Sequence, residues 1–437
     1  SDLKSMDAYE QNKKLTISLL ALYDSTSKDE SGKTRISYDQ AYTLLNSFSS
    51  AFSLDHLLVQ TPDKDSKEFK YYKDGIKKKE ERNNMIDYNE TRGISKETLN
   101  ELLQELNPDF IKKLPDTPQE ILKFAKRRVN PYISENINET LAKQMLETRQ
   151  TDKEYLLTLF KAMTITFING HDPSQHPVAA VLVSQTGAGK TSLRELINPQ
   201  NQVYVVINPD LYKKYRSDAD KIREKDRTHF GALTGIDSYD HAANIRTYAM
   251  EKGYNILIEV APSLQQGLIG VDEKELEEHG YQLDLHVMAV GDLVSAISIH
   301  HRDETSIFVY NGQGDTKLTD LHRHDESYLA VSECLEGMDP ERISLYIRGK
   351  NAAIPPKKIP TEGKTMTEIL NMLQRERSVS NYAYVVGSGE PSFISDYQEI
   401  LQLMQKRNAP QEEYEQLNNI YGRYVHYKSQ IKSAEGR

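Results

Sequence analysis

Apolar positions along the chain change their period twice. Up to about residue 165 they recur at helical spacing, through Leu15, Ile17, Leu19, Leu20 and Leu22 and again through Leu99, Leu102, Leu103 and Leu106. Residues 1–165 are therefore expected to form a mostly helical N-terminal region. Inside it, Thr117-Pro118-Gln119-Glu120 sets a hydroxyl at an N-cap, proline at the first helical position and glutamate three residues on, which predicts a capping box ahead of Ile121-Leu122. Between 166 and 355 the texture becomes short β-rich runs: Val178–Val183, Val203–Ile207, Asn255–Ile258, Leu285–Val290 and Ser344–Ile347. Helical stretches separate them. This alternation predicts an α/β fold, a parallel sheet flanked by helices, with ligands held at the carboxyl ends of the strands. Ile354-Pro355-Pro356-Lys357-Lys358-Ile359-Pro360 reads as a linker, and Tyr397–Lys406 and Glu412–Tyr427 make residues 356–437 a helical C-terminal extension.

Composition narrows the class. A length of 437 residues allows two or three domains, because single cores rarely grow past about 250 residues. With 38% hydrophobic residues, a mean hydropathy of -0.66 and no apolar stretch of about 20 residues, the sequence argues against membrane insertion. Ser1 to Met6 lead into no apolar stretch of the signal-peptide kind. The single cysteine, Cys334, excludes an internal disulfide and a thiolate metal cluster, so a reducing, cytoplasmic setting is expected. A net charge of -10 argues against broad nonspecific binding to nucleic acid and favours a small partner. Lys77-Lys78-Lys79-Glu80-Glu81-Arg82 mixes signs as a solvated helix face does, and is given no function.

The chemistry concentrates after the first apolar run. Val178–Val183 leads directly into Ser184-Gln185-Thr186-Gly187-Ala188-Gly189-Lys190-Thr191 and then a helical Ser192-Leu193-Arg194-Glu195-Leu196, the strand, loop and helix context of a P-loop. Ser184 stands where the pattern usually has its first glycine. Glycines let backbone N–H groups curl around phosphates at a helix N-terminus, with Gly187, Ala188, Gly189 and Ser192 in the cradle. Lys190 reaches the β- and γ-phosphates and the Thr191 hydroxyl suits Mg²⁺, so ATP or GTP with Mg²⁺ is the expected cofactor set.

Carboxylates and arginines follow at other strand ends. Val203–Ile207 ends in Asn208-Pro209-Asp210, where Asp210 suits the general base of a kinase or, more blandly, the N-cap of a following helix. Asn255-Ile256-Leu257-Ile258 ends in Glu259, suited to substrate or to a Mg²⁺-bound water. His300-His301-Arg302 falls on a predicted helix and His322-Arg323-His324 in a polar stretch. Arg302 and Arg323 suit neutralisation of a moving phosphoryl group, or an ordinary surface. Neither histidine cluster has zinc-ligand spacing, so a metal cage is discounted.

This ordered set resembles the zeta-toxin family of P-loop kinases. The likeness covers about residues 175 to 350: the Gly-Ala-Gly-Lys-Thr loop, the strand into Asp210, Gly253-Tyr254-Asn255-Ile256-Leu257-Ile258-Glu259, Val287-Met288-Ala289-Val290 and two later arginines. It implies a P-loop kinase core. By it, Lys190 and Thr191 bind phosphate and Mg²⁺, Asp210 is the base, Glu259 meets substrate, and Arg302 and Arg323 stabilise transferred charge. Residues around Asn311–Thr316 separate the arginines further than the family pattern does. Kinases of this family phosphorylate a sugar hydroxyl of UDP-N-acetylglucosamine, and some effector-like relatives act on NAD-type dinucleotides. The resemblance therefore implies a toxin or effector acting on a nucleotide-type small molecule, in the cytoplasm or delivered to a host cytosol, with an antitoxin or chaperone as a partner. After Glu259 this chain reads Val260-Ala261-Pro262-Ser263, where the toxins carry Gly-Thr-Leu-Arg, so a polar and a cationic substrate contact are absent. Two other functions fit the residues: a regulatory P-loop ATPase using Glu259 beside water, and a degenerate kinase serving as a binding scaffold.

Overall fold

The computed structural model describes residues 116–128, 138–149, 151, 164, 167–168, 171–199, 202–213, 219–226, 229–309, 318–350, 354–387 and 391–435. The patterns at Leu15–Leu22 and Leu99–Leu106, the charge run Lys77–Arg82 and the insertion Asn311–Thr316 lie outside them.

The predicted cap is present, with one arm shifted. Helix α1 (Pro118–Arg128) receives Thr117 Oγ1 as acceptor of the Glu120 N–H at 3.2 Å, but the Glu120 carboxylate accepts from Asp116 N, one residue upstream of the expected partner. α1 and α2 (Glu139–Thr148) bury Ile121, Leu141, Ala142 and Met145 against later helices, in a core of their own.

A six-stranded sheet forms the centre, in the order β2-β3-β1-β4-β5-β6. β1 (Val178–Val183), β2 (Val205–Ile207), β3 (Ile256–Val260), β4 (Gln282–Met288) and β5 (Ile343–Ile347) run parallel, as the alternating pattern predicts. Strands covered on both faces read as continuous apolar runs, and Ala179 to Val183 are each 0% exposed. β2 starts later than expected because Asn198 Oδ1 accepts from Val203 N and Tyr204 N, at 3.0 and 2.9 Å, which takes those donors from the ladder. The stretch read as a linker contains a strand: β6 (Lys357–Ile359) pairs antiparallel with β5, where Lys357 and Lys358 charge an exposed sheet edge.

Because β3 lies on one side of β1 and β4 on the other, the chain's winding reverses at β1, the switch point where open α/β sheets hold ligands. The connecting helices are α3 (Lys190–Ile197), α4 (Pro209–Tyr212), α5 (Ala219–Lys225), α6 (Phe230–Lys252), α7 (Glu273–Glu278), α8 (Asp292–Val309) and α9 (Leu321–Leu335). α9 takes in His322-Arg323-His324, which sequence polarity presents as an irregular stretch; Asp320 caps it by accepting from His322 N at 2.8 Å.

The extension is helical as expected, in α10 (Met366–Val386), α11 (Phe393–Lys406) and α12 (Gln411–Glu435). It is packed into the sheet domain: Ile369, Met372 and Leu373 of α10 share the core of β1, β3, β4 and β5. It also completes two helix starts whose N–H groups have no intrahelical acceptor. Gly291 N and Leu293 N, at the start of α8, donate to Ser380 Oγ and Asn381 Oδ1 of α10 at 2.9 and 3.1 Å. Gly291 suits this close approach, since a Cβ would lie 2.8 Å from the backbone Arg377 O and would displace the Asn381 amide that caps the helix. Leu321 N, at the start of α9, donates to Gln416 Oε1 of α12 at 3.0 Å.

Candidate active site

The loop between β1 and α3 has the shape its glycines predict. Gly187 takes φ +79° and Gly189, the N-cap of α3, φ +100°, a left-handed region that costs other residues energy. Gly187 is constrained further: a Cβ would lie 2.3 Å from Ser295 O of α8. No side chain caps α3, so its first-turn N–H groups suit an anion. Three consecutive loop residues each carry a buried oxygen with no hydrogen-bond partner among the described residues: Ser184 Oγ, Gln185 Oε1 and Thr186 Oγ1. Such groups are costly unless a ligand or water meets them. Positive-φ glycines, an uncapped helix start and the unpartnered hydroxyls of Ser184 and Thr186 together fit a bound phosphate, and the exposed Thr191 beside them suits Mg²⁺.

Lys190 folds back onto its own loop, donating to Ser184 O at 3.0 Å and, more weakly, towards Val260 O of β3 at 3.5 Å. Burial pushes its ammonium down to about 7, reinforced by Arg323 and Arg302 and opposed by Glu259 and Asp210. Those four charged side chains are the other charged candidates that sequence reasoning selected, and the fold brings all of them within electrostatic reach of Lys190.

Each has its own support. Glu259 of β3 accepts from Arg194 Nη1 at 2.9 Å through Oε1 and from Asn208 Nδ2 at 2.6 Å through Oε2. It thus ties α3 to the turn that presents Asp210. The capping role weighed for Asp210 belongs to Asn208, whose Oδ1 accepts from Asp210 N at 3.0 Å. Released from it, the 76% exposed Asp210 carboxylate pairs with Lys213 at 2.9 Å. Burial lowers the Lys213 ammonium, and Asp210 and Tyr239 outweigh that, holding it above its ordinary value.

Arg302 is exposed on α8 and feels the charges of Asp210 and Asp303. Arg323 is 7% exposed, and burial lowers its pKa. Its Nη1 donates to Pro262 O at 2.8 Å, Nη2 donates to Ala261 O, and Glu326 lies 3.6 Å away. The arginine therefore holds the Val260-Ala261-Pro262-Ser263 segment, where the chain departs from the toxin pattern. The histidines beside these arginines are engaged elsewhere. His300 is buried, brought down to about 4 by burial and Arg407, and meets Gln416 Nε2 at 3.2 Å; His324 Nε2 lies 2.7 Å from Ser295 Oγ.

Three contributors carry no sequence motif. Arg194 stands one helical turn after Lys190, a spacing that hinted at a shared face. Lys213 stands three residues after Asp210. Arg348 follows the apolar end of β5 and donates through Nη1 to Gly187 O at 3.1 Å and Ser298 Oγ at 3.0 Å.

Residues 162–354 match the family model described as Zeta toxin. The proteins named Toxin zeta from Enterococcus hirae and from Streptococcus pyogenes are each 31% identical to this chain over 144 residues, 32% of this chain and 48% of the relative. The chain thus spans about half the length of the curated relatives it matches. A solved structure from a molecular and structural characterization of the PezAT chromosomal toxin-antitoxin system of the human pathogen Streptococcus pneumoniae is 20% identical, covering 62% of this chain and 98% of its own, with a TM-score of 0.44. The matched segment, residues 162–354, contains every candidate site residue from Ser184 to Arg323.

Proposed function

We propose that this chain is a kinase that transfers the γ-phosphoryl group of ATP or GTP to a hydroxyl of a nucleotide sugar or a dinucleotide, and that it acts as a toxin or effector. The observation that carries this reading is the charge constellation around Lys190, which joins Asp210, Glu259, Arg302 and Arg323 at one phosphate loop. The zeta-toxin match supports the same reaction class, and the names of the relatives support a toxin; an antitoxin or a chaperone is the partner such a reading expects.

Phosphoryl transfer needs positioning and charge compensation more than covalent help from the protein. Backbone N–H groups of the loop and Lys190 hold the phosphates, and Arg302 faces the charge that spreads over the moving group. Thr191 would hold Mg²⁺, which would supply neutralisation of the triphosphate charge. Asp210 takes the proton of the attacking hydroxyl, with Lys213 orienting it. Arg323 acts from behind, by fixing the carbonyls of Ala261 and Pro262 that shape the acceptor side. Glu259 spends both oxygens on Arg194 and Asn208, which leaves it poorly suited to activate water and weighs against a simple ATPase.

The test is Asp210→Asn with γ-labelled nucleotide. Nucleotide binding within about threefold of wild type and transfer lowered by about 10²-fold or more are expected from the loss of a general base. Transfer at the wild-type rate contradicts the reading.

A further inference from the structure

The phosphate loop is connected to the last helix by side chains that the proposed chemistry does not use. Arg423 of α12 donates through Nη1 and Nη2 to the two oxygens of Asp325, at 2.8 and 2.7 Å. Asp325 Oδ1 lies 2.9 Å from His324 Nδ1, and His324 Nε2 lies 2.7 Å from Ser295 Oγ on α8. Ser295 Oγ in turn accepts from Gln185 Nε2, at 3.2 Å, inside the loop. Asp325 accepts from Nδ1–H, and Ser295 Oγ, which also has Gly291 O at 3.1 Å and Asp292 O at 3.2 Å as acceptors, meets the ring at Nε2.

Serine, histidine and aspartate in this order suggest a hydrolytic triad, but accessibility opposes that. Ser295, His324 and Gln185 are each 0% exposed, and the hydroxyl faces the loop, so no substrate reaches it. What the trio can do is hold position. Buried hydrogen bonds reinforce one another, and each link from Arg423 to Gln185 Nε2 is made, although Gln185 Oε1 has no partner among the described residues. The same stretch of loop is also held by Gln185 Nε2 donating to Val290 O at 2.7 Å, by Thr186 N donating to Ser327 Oγ at 3.2 Å and by the close approach of Gly187 to Ser295 O.

We propose that Arg423 is a positioning residue for the phosphate loop: through Asp325, His324 and Ser295 it fixes Gln185, so that helix α12 sets how tightly the loop holds a nucleoside triphosphate. The loop lacks the usual first glycine, at Ser184, and gains rigidity from this connection to the C-terminal extension. The proposal rests on the nucleotide-binding part of the kinase reading and is independent of the acceptor.

The test is titration calorimetry of the full chain with Mg-ATP and Mg-GTP, beside thermal unfolding of the same samples. Arg423→Gln is expected to raise the Kd by about 5- to 20-fold, a typical coupling between sites, and Arg423→Lys to recover part of it. Leu417→Ala, on the buried face of the same helix and outside the connection, is the structural control. It lowers the Tm while leaving the Kd, measured well below that Tm, at the wild-type value. In a Ser295→Ala background, where the connection is already cut, Arg423→Gln adds no further weakening. An unchanged Kd in Arg423→Gln, or an equal rise in Leu417→Ala, overturns the proposal and leaves the kinase reading standing. Binding by Lys190→Ala as tight as wild type overturns both.

Discussion

Arg194 and Glu259 meet at 2.9 Å, joining the helix that follows the phosphate loop to the strand beside it. Because Glu259 also accepts from Asn208 at 2.6 Å, the pair fixes the turn that carries Asp210 relative to Lys190. Both side chains are largely buried, 22% and 11% exposed, so removing one leaves the other poorly solvated. Arg194→Ala and Glu259→Gln are each expected to lower stability and phosphoryl transfer. In a double-mutant cycle on unfolding free energy the two should couple by about 0.5–3 kcal/mol. Strict additivity contradicts the structural role assigned to the pair.

The charge state of Lys190 gives a pH dependence. Burial holds the ammonium at about 7, and a bound triphosphate adds negative charge that raises it. At pH 6 the lysine is already charged and binding takes up no proton. Above about 7 binding must add one, so Mg-ATP affinity falls as pH rises from 7.5 to 9, by up to about tenfold per unit. Calorimetry in buffers of different ionisation enthalpy measures the uptake directly. Lys190→Arg should bind without that slope, and a flat wild-type profile contradicts the assignment.

Gly187 combines a positive φ with a backbone contact. Gly187→Ala meets both the left-handed strain and a Cβ 2.3 Å from Ser295 O, so a loss of about 1–3 kcal/mol is expected. Thermal unfolding should show a Tm lower by several degrees, together with weakened nucleotide binding. A tolerated alanine would mean that the loop and α8 separate easily.

Arg348 tests a contributor that no motif announced. Its guanidinium is exposed and joins Gly187 O to Ser298, so Arg348→Ala should weaken Mg-nucleotide binding about two- to fivefold, the scale of an exposed charge contact. Arg348→Lys should recover part of it, because both acceptors are met by the single Nη1, whose place an ammonium with three donors can take. Equilibrium titration reads both.

These residues also mark where sequence legibility ended. Val178–Val183 and Gly187 to Thr191 were readable because strand, loop and helix carry their signals within about 20 residues, and Asp210 and Glu259 followed from standing at the ends of apolar runs. The His322-Arg323-His324 helix was hidden by its polarity, since between Leu321 and Ala330 its buried face is made of Arg323, His324 and Ser327. β6 was hidden by the prolines around it, because three edge residues carry too short a pattern. Arg348, Lys213 and the capping of α8 and α9 by Ser380, Asn381 and Gln416 are long-range or motif-free. An arginine after a strand, or a glutamine on a late helix, shows its role only when the chain is folded.

The central claim is that a small-molecule hydroxyl, not water, receives the phosphoryl group. Mass spectrometry after incubation with Mg-ATP or Mg-GTP and a pool of nucleotide sugars and dinucleotides tests it most directly. One acceptor should gain the mass of a single phosphate with wild-type protein, and none should do so with Asp210→Asn. Nucleotide hydrolysis by the wild type with no acceptor gaining mass would contradict the account.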